Sequence, residues 1–275
     1  MTQPERRSGP AQRHHLETRV LSNSGERGHH TLWLDAPAIA ATALPGQFLV
    51  LHRFEPDGSA YRRPFSIFDS DISRGSVAIR YAPRGPFTTA LSTVEQGALL
   101  TVTGPLGRAF QMPPDATTRL ILVAGGAGAA PLHFLAARSD RAADRIVVIN
   151  AARSLEALVA MEEFGSMPVT LRSATDDLSQ NDPAPWRRVL EEVLDEGSPA
   201  SARIAACGPN RMLAAVAEVA ARRAVPCQVS VSAPMPCGIG YCNACSVASS
   251  SGVALRACWD GPVMDAKQVD WPRLL

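Results

Sequence analysis

RLILVAGGAGAAPLHFLAA, residues 119–137, divides the chain into two patterns. Its opening, Arg119 to Ala124, is an apolar run suited to a strand buried on both faces of a parallel sheet. Gly125, Gly126 and Gly128 follow, and then a run of helical composition. From Leu120 to Ala137 the chain is nearly uncharged and about as long as a membrane span. The glycines, Pro131 and His133, with Arg119 and Arg138 at the flanks, fit strand, glycine loop and helix instead. In that arrangement the glycines let backbone approach a pyrophosphate, and the helix N-terminus favours its charge. The spacing is G-G-x-G-x-x-P, and a tight strand-to-helix turn gives the same string. The loop alone therefore leaves nucleotide binding open.

Downstream the alternation continues. RIVVIN (145–150) reads as a strand, LEALVAMEEF (155–164) as a helix and PVTLRSA (168–174) as a strand. WRRVLEEVL (186–194), ARIAAC (202–207) and MLAAVAEVAARR (212–223) extend it as helix, strand and helix. Alternating strands and helices predict a parallel sheet with α/β layering. Upstream the punctuation is different. HLETRVL (15–21), HTLWLDA (30–36), GQFLVLH (46–52), PFSIFD (64–69), SVAIRYA (76–82) and ALLTVTG (98–104) are short strand candidates separated by Gly and Pro. They predict a small antiparallel barrel. The division is thus a polar flexible tail over 1–13, a barrel over 14–113, an α/β domain over 114–225 and a small cysteine-rich domain over 226–275. The fold class is α+β multidomain.

Composition agrees. A chain of 275 residues is long enough for about two domains, burying on the order of three quarters of the unfolded surface. Apolar residues make up 46% and charged residues 19%, which is ordinary globular composition. Twenty-seven Lys and Arg against 26 Asp and Glu give a net charge of +1, so a basic footprint for nucleic acid is not expected. The start, MTQPERRSGPAQRHH, has no apolar core of a secretory signal. That predicts a cytoplasmic protein without a membrane segment, where clustered cysteines more often mean metal than disulfide.

Four of the six cysteines are clustered as Cys237-x4-Cys242-x2-Cys245-x12-Cys258. Gly238 and Gly240 can adopt backbone angles that let a loop wrap an inorganic core. The spacing is that of a plant-type [2Fe–2S] site; a four-cysteine zinc site uses the same thiolates. Two further features are weaker. Cys207-Gly208-Pro209 closes a strand where open α/β sheets bind ligands, although a lone cysteine there also reads as core. Arg62-Arg63-Pro64-Phe65-Ser66 opens a strand: Pro64 keeps Arg63 extended, and its guanidinium can fork onto a phosphate or simply face solvent.

The order R-P-F-S, G-P-L-G, G-G-x-G-x-x-P, C-G-P and cysteine cluster resembles the ferredoxin–NADP reductase superfamily. More closely, it resembles the electron-transfer subunits of NAD-linked dihydroorotate dehydrogenase. The likeness spans about 14–271 and is narrowest in MPCGIGYCNACSV and RACWDGPVMDAKQVDW. It implies FAD held by Arg63, Pro64, Phe65 and Ser66, and by Arg80, Tyr81, Ala82, Gly85, Phe87 and Thr88. It implies NAD at Gly125, Gly126, Gly128, Asp176 and Cys207, and a [2Fe–2S] cluster on Cys237, Cys242, Cys245 and Cys258. Phe87 stands where the family often has glycine. Leu178 stands where it often has the glycine of T-D-D-G-S, and VSVSAPM lacks the usual glutamate pair. Asp176 and Asp177 would repel a 2′-phosphate, favouring NAD.

Such a cofactor set implies a chain of carriers. A nicotinamide moves two electrons as hydride, a [2Fe–2S] cluster moves one, and a flavin links them. The resemblance implies a hetero-oligomer with a catalytic subunit that oxidises dihydroorotate on its own FMN in pyrimidine biosynthesis, and no general acid or base here. The other reading is an NAD(P)H-dependent flavin and iron–sulfur reductase serving another redox partner, such as an oxygenase, a sulfide dehydrogenase-like complex or a bifurcating complex.

Overall fold

The computed structural model describes residues 13–54, 60–113, 115–178, 182 and 184–275. Apart from Arg13, the expected tail lies outside these residues. Six strands, β1 (His14–Glu26), β2 (His29–Asp35), β3 (Phe48–Phe54), β4 (Ala60–Asp71), β5 (Ser76–Tyr81) and β6 (Leu99–Leu106), close an antiparallel barrel in the order β1-β2-β5-β4-β3-β6. Short helices α1 (Pro37–Ala40) and α2 (Pro86–Ser92) lie in its connections. Alternate residues point inward, so Leu49 and Leu51 meet Ile67, Val77, Ile79 and Val102 in the barrel core. Burying each such side chain contributes roughly 1.5–3 kcal/mol. The intervening residues Phe48 and Val50 point out.

The second half of the chain builds β7 (Arg119–Gly125), α3 (Ala129–Ala137), β8 (Ile146–Ala152), α4 (Met161–Gly165), β9 (Thr170–Thr175), α5 (Pro185–Asp195), β10 (Ala202–Cys207), α6 (Asn210–Arg222) and β11 (Cys227–Ser230). The hairpin β12 (Ser246–Val247) and β13 (Leu255–Arg256), then β14 (Val263–Asp265) and α7 (Trp271–Leu274), complete it. The sheet order is β14-β11-β10-β7-β8-β9. All pairs are parallel except β11–β14. The sheet therefore takes two strands from beyond residue 225, and Cys227 is a buried strand residue rather than part of the cysteine loop.

LEALVAMEEF is not one helix. A 3-10 turn at Leu155–Ala157 is followed by extended chain, and Ala160 adopts a left-handed φ of 61° before α4 begins. The cause is tertiary: buried Asn150 donates Nδ2 to the Val159 carbonyl at 2.8 Å, fixing the segment against the sheet.

Helix α3 is buried on all sides. Phe134 enters the barrel core, while Leu132 and Leu135 enter the core under the sheet. His133 bonds through Nδ1 to the Phe68 carbonyl at 3.0 Å and stacks on the Phe68 ring at 4.2 Å. The carbonyl accepts, so the neutral ring carries its proton on Nδ1. Burial lowers the pKa of His133, against the raising effect of the Phe68 carbonyl. The unfolded chain therefore binds more protons below the ordinary value of about 6.5. Stability is expected to fall as pH drops from about 7 through that window, with His29 and His52 shifted the same way. His133→Asn should flatten that dependence, which urea midpoints at about pH 7.5 and 5.5 would measure; an unchanged slope would contradict the assignment.

Candidate functional site

Between β11 and β12 the chain makes no regular structure until Cys245. Gly238 and Gly240 take φ of 69° and 78°, which only glycine adopts without strain. The two-residue strands β12 and β13 pair Ser246 with Arg256, and the Ala257 amide donates to the Cys245 carbonyl at 2.9 Å. This brings Cys245 Sγ to 3.3 Å from Cys258 Sγ. Both are buried, and the Gly240 amide donates to Cys258 Sγ at 3.1 Å. Desolvation and the neighbouring Cys245 push the Cys258 thiol up to about 12. Cys237 and Cys242 form the outer pair, half-buried and exposed. Desolvation raises Cys237, but the Cys242, Ile239 and Tyr241 amides and the Cys242 thiol outweigh it and bring it down to about 6.

Among the described residues no three His, Cys, Asp or Glu groups converge as the ligands of one ion do. The thiols stand as two pairs, with amides aimed at a sulfur of each. That donor set fits a binuclear iron–sulfur core better than the single tetrahedral point of zinc.

The same loop lies on the barrel. A Cβ added to Gly238 would sit 2.8 Å from Val50, 3.0 Å from Leu106 and 3.6 Å from Phe48. Strand register places Pro64 beside Val50 and Ser66 beside Phe48. The R-P-F-S strand and the cysteine loop thus share one face. Between them is a cleft of about 360 Å³ lined by Tyr61, Arg62, Arg63, Pro236, Cys237 and Cys242. Phe48, Val50 and Leu106 join Ile121 and Val123 of the sheet and Cys245 and Cys258 of the loop in one apolar cluster.

The remaining flavin candidates are distributed. Phe65 packs edge-on to Tyr81 at 5.9 Å and lies 6.1 Å from Phe87, forming an aromatic group at the barrel end. Burial pushes Tyr81 up to about 12, and its hydroxyl donates to Asn23 Oδ1 at 3.0 Å. Phe87 also receives Arg63, whose Cζ is 5.9 Å from the ring. Thr88 Oγ1 accepts from the Arg84 and Gly85 amides, closing the turn before α2. Ala82 and Gly85 are half-buried beside it. Arg80 points away from the cleft, paired with Glu163 of α4 and lying over Phe68.

At the strand ends of the sheet, the three loop glycines divide. A Cβ at Gly128 would lie 2.0 Å from the Cys207 carbonyl oxygen, and one at Gly125 would lie 2.5 Å from Met212 Sδ. Those two glycines admit β10 and the turn after it. Gly126, at φ 53°, has open space above it. Desolvation pushes the Cys207 thiol up to about 11, opposed by Ser230. Asp176 is exposed at the end of β9. The side chain of Leu178, and Ser179 entirely, lie outside the described residues. Arg62 and Pro236 lie inside motifs read from sequence and Tyr61 adjoins one, but spacing alone assigned none of the three to the site. Arg256, two residues before Cys258, was also passed over.

Residues 233–270 match the family described as the iron-sulfur cluster binding domain of dihydroorotate dehydrogenase B. Residues 21–110 match the oxidoreductase FAD-binding domain. A relative from Desulforamulus reducens, named dihydroorotate dehydrogenase B (NAD(+)), electron transfer subunit, is 32% identical over 240 residues, covering 86% of this chain and 90% of its own. The chain belongs to this family of electron transfer subunits. A second family member, from Caldanaerobacter subterraneus, is 33% identical over 229 residues, covering 82% of this chain and 86% of its own.

The solved structure of an NADH-dependent reduced ferredoxin-NADP oxidoreductase, described for flavin-based electron bifurcation, superposes with TM-score 0.79 at 25% identity, covering 94% of this chain and 91% of its own. A ferredoxin NADP+ reductase from Neisseria gonorrhoeae with bound FAD and NADP shares the fold at TM-score 0.61 and 17% identity, covering 76% of this chain and 91% of its own. As an electron transfer subunit of this family, the chain is an oxidoreductase subunit with an FAD-binding barrel and an iron–sulfur domain. Among its described residues no helix is long and apolar enough to cross a membrane.

Proposed function

We propose that this electron transfer subunit carries electrons between NAD and a separate FMN-containing catalytic subunit that oxidises dihydroorotate to orotate. The observation that carries the reading is the cleft in which Arg62 and Arg63 face Cys237 and Cys242. Cys237, Cys242, Cys245 and Cys258 hold the [2Fe–2S] cluster. The strand Arg63–Ser66, with Tyr81, Ala82, Gly85, Phe87 and Thr88, holds FAD, while Arg80, expected from the resemblance to join them, is instead committed to Glu163. Gly125, Gly126, Gly128, Asp176 and Cys207 receive NAD. Held there, FAD would supply the link between two-electron hydride chemistry at the nicotinamide and one-electron chemistry at the cluster.

The protein groups have separable tasks. Among the described residues no carboxylate pairs with Arg63, whose Nη1 bonds only the Arg62 carbonyl at 2.9 Å; it is available to a pyrophosphate. Phe48, Val50 and Leu106 exclude water between barrel and loop. The exposed Asp176 carboxylate disfavours a 2′-phosphate. Exposed Ile239 and Tyr241 on the loop offer the partner a face beside Cys242. All six cysteines are free, which fits a reducing cytoplasm.

Arg63→Ala is expected to weaken FAD binding by about 2 kcal/mol, roughly 30-fold in Kd, in a fluorescence titration of the flavin-free protein. An unchanged Kd would remove Arg63 from the site. The function itself is tested by mixing holoprotein with the FMN-containing dihydroorotate dehydrogenase subunit of the same organism, under anaerobic conditions. NADH should form from dihydroorotate and NAD only when both subunits are present. No NADH, and no complex, would favour the second reading: an NAD(P)H-dependent reductase for another redox partner. The high structural similarity to the reduced ferredoxin-NADP oxidoreductase supports that alternative.

A further inference from the structure

Arg256 reaches across the cysteine loop. Its Nη1 donates to the Gly240 carbonyl at 2.9 Å. Asp260 holds it from behind, accepting at Oδ2 from the Arg256 backbone amide at 2.9 Å and from Nε at 3.5 Å. The amides of Trp259 and Asp260 return to the Arg256 carbonyl at 2.9 and 2.7 Å, so the turn carrying Cys258 closes on Arg256 itself. Gly240, fixed at its carbonyl, donates its own amide to Cys258 Sγ at 3.1 Å. Trp259 seals the other side: a Cβ at Gly240 would lie 3.1 Å from it, and Arg256 Cζ lies 5.8 Å from its ring.

Arg256, Asp260 and Trp259 thereby lock the Gly240 amide onto Cys258 Sγ. We propose that Arg256 is a positioning residue that sets the reduction potential of the cluster by holding the Gly240 amide on Cys258. The inference rests on the iron–sulfur reading above. An N–H bonded to a thiolate stabilises added negative charge, and hydrogen bonds to ligand sulfurs are among the levers that set cluster potentials. Without the guanidinium, Gly240 keeps its left-handed conformation but loses the anchor that aims its amide. The reduced state is then less favoured.

The test is an anaerobic redox titration of the holoprotein, followed by visible and electron paramagnetic resonance spectra. Arg256→Met removes every donor at similar length. It is expected to shift the one-electron equilibrium about tenfold toward the oxidised cluster, about 59 mV, and to change the resonance signal of the reduced protein. Arg256→Lys keeps a cation but cannot fork between Gly240 and Asp260, and is expected to fall between, about threefold. A loaded Met variant with the wild-type potential overturns the proposal. Should the Met variant hold no iron, a wild-type potential in the Lys variant overturns it instead. Failure of both to hold iron also overturns it, since Arg256 would then build the loop rather than tune a sulfur in it. A wild-type protein that takes up no iron and sulfide would contradict the iron–sulfur reading itself.

Discussion

Replacing Cys258 by alanine is expected to abolish the iron–sulfur absorption of the holoprotein, leave its flavin absorption, and cut electron delivery to the partner by more than about 100-fold. The magnitude follows from ligand chemistry: groups that merely support a metal ligand cost about 10–100-fold when removed, and Cys258 is itself a proposed ligand. It is buried, 3.3 Å from Cys245, so no exposed side chain can swing in to replace it. The change also strands the buried Gly240 amide, which now bonds Cys258 Sγ, at a cost of about 1–3 kcal/mol. NADH should still reduce the flavin, since Gly126 and Arg63 are untouched. Cys207→Ala is the control and should keep its full iron content. Iron and acid-labile sulfide analysis decides the matter: a Cys258→Ala protein with as much of both as wild type would remove Cys258 from the ligand set.

The second large effect is on folding. Gly128→Ala places a Cβ within 2.0 Å of the Cys207 oxygen, 2.3 Å of its carbonyl carbon and 2.7 Å of the Gly208 nitrogen. All three are backbone atoms of β10 and its turn, so no side-chain rotation relieves the clash. Helix α3 would have to move, yet it is packed into both the barrel core and the sheet core. The expected loss is about 3 kcal/mol or more, roughly 6–12 °C in Tm. Gly126→Ala meets open space and carries only the left-handed backbone penalty of about 1–2 kcal/mol. Its main effect should be on KM for NADH. A Gly128→Ala protein as stable as wild type would mean that β10 does not approach the loop this closely.

These two glycines show what was legible in the sequence. The strand-loop-helix reading of 119–137 came from local pattern, because a buried parallel strand and a glycine turn are written in adjacent residues. Which glycine served packing was not, because the atoms that demand it come from Cys207 and Gly208, some 80 residues along. The barrel strands were legible because apolar alternation and Gly/Pro punctuation are local. Strand β1 runs to Glu26, beyond the expected HLETRVL, because a register shift between Val20 and Ser22 lets pairing with β2 continue. The helix expected at LEALVAMEEF failed because Asn150, outside the segment, captures the Val159 carbonyl. The cysteine spacing narrowed the chemistry to a four-thiolate site, iron–sulfur or zinc, and the family match over 233–270 selects iron–sulfur. The role of Arg256 was not legible, since its partner Gly240 is reached only through a hairpin of two-residue strands, too short to leave a periodic signal.

The most direct test of the electron-transfer account is an anaerobic titration of the purified holoprotein with NADH, followed in the visible spectrum. The account predicts a flavin band and a broad iron–sulfur band that both bleach with NADH, in the absence of any partner. A protein carrying both bands that only dithionite can bleach would contradict the nicotinamide end of the chain. A colourless protein, prepared without exposure to oxygen, would contradict the account as a whole.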